Sequence, residues 1–380
     1  MPKKIALTTT GIILSLALSA CSGGSANNLD KVSYDLKDAT AAPSVSFATP
    51  FSVGKTETHL ISEGDGDSVK DGDTLLIQAT IFDGKEAKEL GTTYESKPLM
   101  ILVGEKLKEN APELYSMLTE HKVGSSFSYS TNMVSPEAGE SPSAAPADSP
   151  TNVEVYTVVQ KLLPEATGTA LDHKDWNKAL ESFEIADSGA GVIKLKDDRG
   201  DAPKELVTQN LIEGSGRTVE STDQVYVKYE GVRWEDGKSF DGNYNGDPLD
   251  ISLGGVIKGW KEGLSGHKVG SRVLLVIPSD LAYGENPANG APSGALVFVV
   301  DILGAMPTPE AVIAQQKAAE EAQKKAEESK NKEESKGDEK PDTETPREEP
   351  KPEEPKADEG APAENQPAQE APAPEESPAQ

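Results

Sequence analysis

Few residues in this chain are suited to covalent or metal chemistry. Four His and one Cys among 380 residues give neither a Cys/His zinc centre nor a disulfide framework. Asp65-Gly66-Asp67 opens like a calcium loop, but Val69 falls where the next ligand oxygen belongs, which leaves a hairpin turn. Glu137 and Glu140 sit in a stretch rich in Pro, Ser and Ala, with no evident partners. No cofactor and no metal is therefore expected. The net charge of -28 excludes a nucleic-acid binder, which needs a basic face, and electrostatic docking on anionic lipid. The aromatic residues are what is unevenly placed. Residues 205–307 hold eight of them, with two of the three Trp, and 308–380 hold none. Taken singly, Val256, Ile257, Trp260 and Phe298 read as core, Tyr229 as a strand residue and Asp241 as a turn acid.

The elements that would carry these residues follow from periodicity. Gln224 to Tyr229 alternates like a half-buried strand, Glu235 to Lys238 is turn chemistry, and Ser239-Phe240-Asp241 leaves the turn. Leu249 to Leu253 alternates again. Val256 to Leu264 places apolar residues at 256, 257, 260 and 264, one face of a short helix. Val269-Gly270-Ser271 turns into an apolar strand, Val273 to Ile277, and Ala295 to Leu303 is a last strand. The pattern predicts an α+β fold, a curved antiparallel sheet wrapped on one short helix.

Six spaced motifs occur in one order: Tyr229-Glu230-Gly231, Asp236 to Asp241, Val256-Ile257-Lys258-Gly259-Trp260, Gly270-Ser271-Arg272, Leu281-Ala282-Tyr283-Gly284 and Leu296-Val297-Phe298. The series resembles the FKBP-type peptidyl-prolyl cis-trans isomerases, the family that macrolides such as rapamycin inhibit. The resemblance implies the same sheet-on-helix fold and rotation about X–Pro bonds of polypeptide substrates. It assigns Tyr229, Phe240, Val256, Ile257, Trp260, Tyr283 and Phe298 to an aromatic pocket floored by Trp260. Asp241 and the Tyr283 hydroxyl would fix the substrate, and the Ile257 N–H would donate to a substrate carbonyl. Leu249 stands where the family often has an aromatic, and Ala291 where it usually has Ile-Pro; both bear on substrate affinity and on macrolide binding. The barrier to be lowered is about 18–20 kcal/mol of amide resonance, and uncatalysed exchange takes roughly 10–100 s. No bond breaks, so a dry pocket that hosts the less polar, twisted amide better than the planar one is sufficient.

The same landmarks repeat. His121-Lys122-Val123-Gly124-Ser125 duplicates His267-Lys268-Val269-Gly270-Ser271, and two further stretches match at an offset of about 150 residues. Residues 49–164 thus read as a second, degenerate copy, in which Ala79, Leu90 and Gly91 replace Tyr229, Phe240 and Asp241 and Leu114 falls near the place of Trp260. Residues 165–204 read as a linker with a short helix near Asp175 to Glu184, and 205–307 as the isomerase domain. Pro309 to about Glu334 suits a charged, solvated helix, and the Pro/Glu-rich remainder to 380 a disordered acidic tail.

Lys3 and Lys4, the apolar run Gly11 to Leu18 and the small residues Ser19-Ala20 form a secretory signal peptide over 1–20. Leu18-Ser19-Ala20-Cys21 resembles a bacterial lipobox, which implies acylation of Cys21, a flexible lipidated linker over 21–48 and a lipid anchor on the extracytoplasmic membrane face. Two functions fit: an exported isomerase that assists folding, or a non-catalytic binding or chaperone lipoprotein that uses the same modules. Cys21→Ala is expected to release the protein from membranes with its activity intact; persistent, detergent-sensitive membrane fractionation of the variant would refute the anchor.

Overall fold

A computed structural model describes residues 27–37, 40–134, 143–146, 148–172, 183–185, 193–287 and 290–334. Cys21, the leader, Glu137, Glu140 and the tail beyond Glu334 lie outside these residues. The chain divides into two compact units, Met1–Ala322 and Gln323–Gln380, and both large sheets lie in the first.

The first sheet is built from β3 (Glu57–Ser62), β4 (Thr74–Phe82), β5 (Glu89–Thr92), β6 (Leu99–Leu102), β7 (Ser126–Ser130) and β10 (Val153–Lys161). The second is built from β11 (Gly168–Ala170), β14 (Val207–Gly214), β15 (Asp223–Arg233), β16 (Ser239–Gly242), β17 (Leu249–Ser252), β18 (Arg272–Ile277) and β19 (Leu296–Pro307). Their orders are β3-β7-β10-β4-β5 with β6 on β4, and β11-β14-β18-β19-β15-β16 with β17 on β15. Apart from β11 the two sheets correspond strand for strand, and among the described residues every pairing is antiparallel. Alternation sets the faces. Val225, Val227 and Tyr229 of β15 turn toward α3 (Lys258–Leu264), where they pack with Trp260, Leu264, Val273, Leu275 and Phe298. The helix is shorter than the apolar spacing predicts: Val256 precedes it and Ile257 caps it. The first sheet carries two short helices where one is expected, α1 (Glu105–Asn110) and α2 (Pro112–Glu120), divided at Ala111 just before Pro112.

Two stretches expected to be linkers are folded. Residues 27–36 and 44–53 contribute a 3-10 turn at Asn28–Lys31 and the pair β1 (Ser33–Asp35) and β2 (Ser44–Ser46). Leu29, Val32, Phe51 and Val53 are buried against Phe82, Val153 and Val155, on the side of the first sheet away from its helices. The apolar spacing is sparse enough to pass for a leash, yet Val32, Tyr34 and Leu36 alternate, and the Tyr34 hydroxyl is bonded to Ser128 Oγ at 2.6 Å. Within 165–204, β11 extends the second sheet by pairing with β14, and β12 (Phe183–Ile185) pairs with β13 (Ile193–Leu195). Of the helix expected near 175–184, residues 175–182 are outside the described residues and Phe183 and Glu184 are in a strand. Phe183 and Ile193 bury against Trp234, Leu274, Val276, Val297 and Val299, on the side of the second sheet away from α3. The short pair β8 (Met133–Val134) and β9 (Ser143–Ala144) closes the loop before β10. The charged stretch is helical as expected, α4 (Pro309–Glu334).

One ion pair is fully buried in the second sheet. Arg272 and Asp301 face each other across β18 and β19, with Nε to Oδ1 at 2.6 Å and Nη2 to Oδ2 at 2.8 Å. Tyr244 donates to Oδ1 at 3.2 Å and the Ala166 N–H to Oδ2 at 3.3 Å, so the pair ties both flanking loops to the sheet. Asp301→Ala strands a guanidinium away from its carboxylate in a dry site and is expected to cost about 3–5 kcal/mol in chemical denaturation of the full chain.

Candidate active site

The site begins with a missing side chain. Gly231 lies on β15, opposite Asp241 of β16 on one side and Phe298 of β19 on the other. A Cβ built there would stand 2.7 Å from Phe298 Cε1 and 2.8 Å from Phe240 Cζ. Only glycine lets both rings lie over the strand. Phe298 is then packed by three rings: Trp260 at 5.3 Å and 89°, Phe240 at 5.6 Å and 88°, and Tyr229 at 6.3 Å and 46°. Tyr229 and Trp260 meet edge to face at 5.1 Å and 90°. Edge-to-face contact suits the ring quadrupoles and is worth about 0.5–1.5 kcal/mol per pair beyond burial.

These rings enclose a cavity of about 240 Å³, lined by Tyr229, Phe240, Asp241, Ile251, Gly255, Val256, Ile257, Trp260, Tyr283 and Phe298. Trp260 is one of the buried residues of α3, while Tyr283 is 46 % exposed at the rim. Residues from four strands, the entry to one helix and the loop after β18 therefore meet at one opening. Leu249 packs against the core but does not line the cavity, and Ala291 does not reach it. Ile251, two positions further along the same face of β17, forms that part of the wall. Strand alternation offers Leu249 and Ile251 equally; only the register against β15 tells them apart.

Polar groups in the wall are few and held. The Tyr229 hydroxyl donates to Asp241 Oδ2 at 2.5 Å, and the Gly242 N–H donates to Oδ1 at 2.9 Å. Burial, and then the bond to Asp241 and its charge, push the Tyr229 hydroxyl well above the ordinary tyrosine range. It thus remains a donor at any physiological pH. Asn243 holds this arrangement from behind, a role its sequence position does not signal. Its Oδ1 accepts from the Tyr229 N–H at 2.8 Å, and its Nδ2 donates to the carbonyls of Val227 at 3.1 Å and Asp247 at 2.9 Å. The lining has no Ser, Cys, His or Lys; it offers a cluster of aromatic rings with two hydroxyls and one carboxylate, open to solvent at the Tyr283 rim. A wider cleft of about 920 Å³ beside Arg199, Asp201, Trp234 and Asp280 is open and mostly polar, and provides no such enclosure.

The fold and this opening define a sheet-on-helix protein with an aromatic-lined site suited to non-covalent chemistry. Residues 215–303 match the family described as FKBP-type peptidyl-prolyl cis-trans isomerase. The chain is 43% identical over 184 residues to the FKBP-type peptidyl-prolyl cis-trans isomerase FkpA of Escherichia coli K12, across 42% of this chain and 68% of that protein. It is 41% identical over 110 residues to the FK506-binding protein of Streptomyces anulatus, across 27% of this chain and 89% of that one. A crystal structure of FkpA from Escherichia coli aligns at 44% identity with a TM-score of 0.25, over 27% of this chain and about half, 48%, of the solved chain. The chain belongs to the FKBP-type peptidyl-prolyl cis-trans isomerases, and isomerisation of X–Pro bonds is the activity of that family.

Gly231→Ala is expected to force Phe240 and Phe298 apart, at an overpacking cost of about 1–3 kcal/mol. Steady-state kinetics should show kcat/KM falling at least tenfold while the protein stays folded by circular dichroism. Unchanged kinetics would mean that the ring box is not needed.

Proposed function

We propose that residues 205–307 carry the isomerase activity, acting on proline-containing segments of exported polypeptides, and that 49–164 is a diverged, non-catalytic copy. The observation that carries this reading is convergence: side chains from motifs spread over 229–298 line one cavity. The prolyl ring sits on the Trp260 indole between Tyr229, Phe298 and Phe240, with Val256 and Ile257 along the side. The Ile257 N–H holds a substrate carbonyl at the entrance to α3. Asp241 and the Tyr283 hydroxyl orient the chain at the rim. The walls give the planar amide dipole little to bond with, so the twisted state, whose dipole is weaker, is favoured relative to it.

The first copy lacks these means. In the matching ladders Ile81 stands at the place of Gly231, Gly91 at that of Asp241 and Glu154 at that of Phe298. Tyr129 and Tyr156, at the places of Leu275 and Val300, fill the space from within, and the Tyr156 hydroxyl donates to Glu154. Leu90, where Phe240 would be, is 58 % exposed. An exported, lipid-anchored location rests on the leader and Cys21. A macrolide would occupy the aromatic cavity, whose wall is formed by Ile251 rather than by Leu249 or Ala291.

A protease-coupled assay on an X–Pro tetrapeptide with the full chain tests the residue roles. Asp241→Ala should lower kcat/KM with the melting temperature nearly unchanged, because the acid is at an exposed rim. Tyr283→Phe should behave alike, losing one hydrogen bond of roughly 0.5–1.5 kcal/mol. Trp260→Ala should abolish activity and also cost about 3–5 kcal/mol of stability, since the floor of the cavity is core. Full rates for Asp241→Ala and Tyr283→Phe would reduce the cavity to a binding site.

A further inference from the structure

We propose that the first module is a brace for the isomerase pocket, and that it positions the pocket strand β17 through Lys97. The inference rests on the aromatic cavity being the catalytic site. The modules are not beads on a flexible linker. Leu76 and Leu162 of the first and Tyr226 of the second are buried together, with Met100, Val159 and Met306 packed around them. Leu76 alternates with the core residues Leu75 and Ile77, and Tyr226 with Val225 and Val227, so the two sheets meet by the faces turned away from their helices. β10 runs straight onto the second sheet, where the Leu163 N–H donates to the Leu303 carbonyl at 3.0 Å. Gly304 makes room for this junction: a Cβ there would lie 2.4 Å from Leu162 Cδ2.

At the edge of this junction stands Asp250, paired in register with Tyr226 and flanked by Leu249 and Ile251. Its carboxylate is largely buried. It accepts from Gln224 Nε2 through one oxygen and takes Lys97 Nζ of the first module at 2.7 Å on the other. β17 is four residues long, and its ladder is with β15. Asp250 is the grip by which the first module holds β17, and Ile251, the next residue, is in the cavity wall. A carboxylate in a mostly desolvated position loses more when its partner is removed than an exposed one does. Lys97 is itself 65 % exposed, so replacing it removes the grip without opening the core.

The experiment measures kcat and KM of the full chain on an uncharged X–Pro tetrapeptide, with melting temperatures alongside. Lys97→Glu is expected to lower kcat/KM by about fivefold, Lys97→Arg to retain the wild-type value, and Lys97→Glu combined with Asp250→Lys to recover it to within about twofold. Added salt should lower the wild-type rate and leave Lys97→Ala unaffected, because only the former has the pair to screen. Full activity of Lys97→Glu, or a double variant no better than the single one, overturns the brace. Trp260→Ala in the same assay separates the two readings. If it keeps its rate, the cavity is not the site; if it loses activity while Lys97→Glu does not, the brace alone is wrong.

Discussion

Everything in the second module is arranged around one ring packed by three others. Phe298 can sit beneath Phe240 and beside Trp260 because Gly231 leaves the middle of β15 bare. That vacancy in the strand decides where the rings go, and the rings decide the size and shape of the cavity. The remaining elements hold that geometry still. Asn243 locks the turn after β16 to β15, and the buried Arg272–Asp301 pair fastens β18 to β19 beneath it. A catalyst that makes no covalent bond works by the shape of its site and the few hydrogen bonds there, so the rigidity of its walls is part of its chemistry.

The first module shows the opposite outcome on the same strand plan. Once Ile81 occupies the bare position, no pair of rings can lie across the strand, and a glutamate stands where Phe298 would be. Burial pushes the Glu154 carboxyl above the usual carboxylate range, and the bond from Tyr156 partly offsets this. A fold can thus keep its topology while its interior fills with tyrosines, since the ladder hydrogen bonds do not depend on which side chains point inward.

The strands, the turn at Glu235 to Lys238 and the helical stretch after Pro309 were legible because periodicity and turn residues are local signals. The cavity lining was legible largely through ordered motifs, yet Ile251 and Asn243 were not. The first needs the cross-strand register, and the second acts by bonding backbone on another strand. The folded covers at 27–36, 44–53, 183–185 and 193–195 were missed for a related reason. Three-residue strands with one or two apolar positions look like linker until the sheet face they cover is known. The split of the first module's helix at Pro112 was readable in principle, from proline's lack of an N–H.

Trp260 forms the floor of the cavity, whereas Trp234 is shut beneath the cover on the far face, its indole N–H donating to the Gly200 carbonyl at 3.2 Å. The two indoles therefore stand in different surroundings. A peptide in the cavity would change the surroundings of Trp260 and leave those of Trp234 as they were. Occupancy of the cavity would therefore be felt at Trp260, with Trp234 of the same module left as it was.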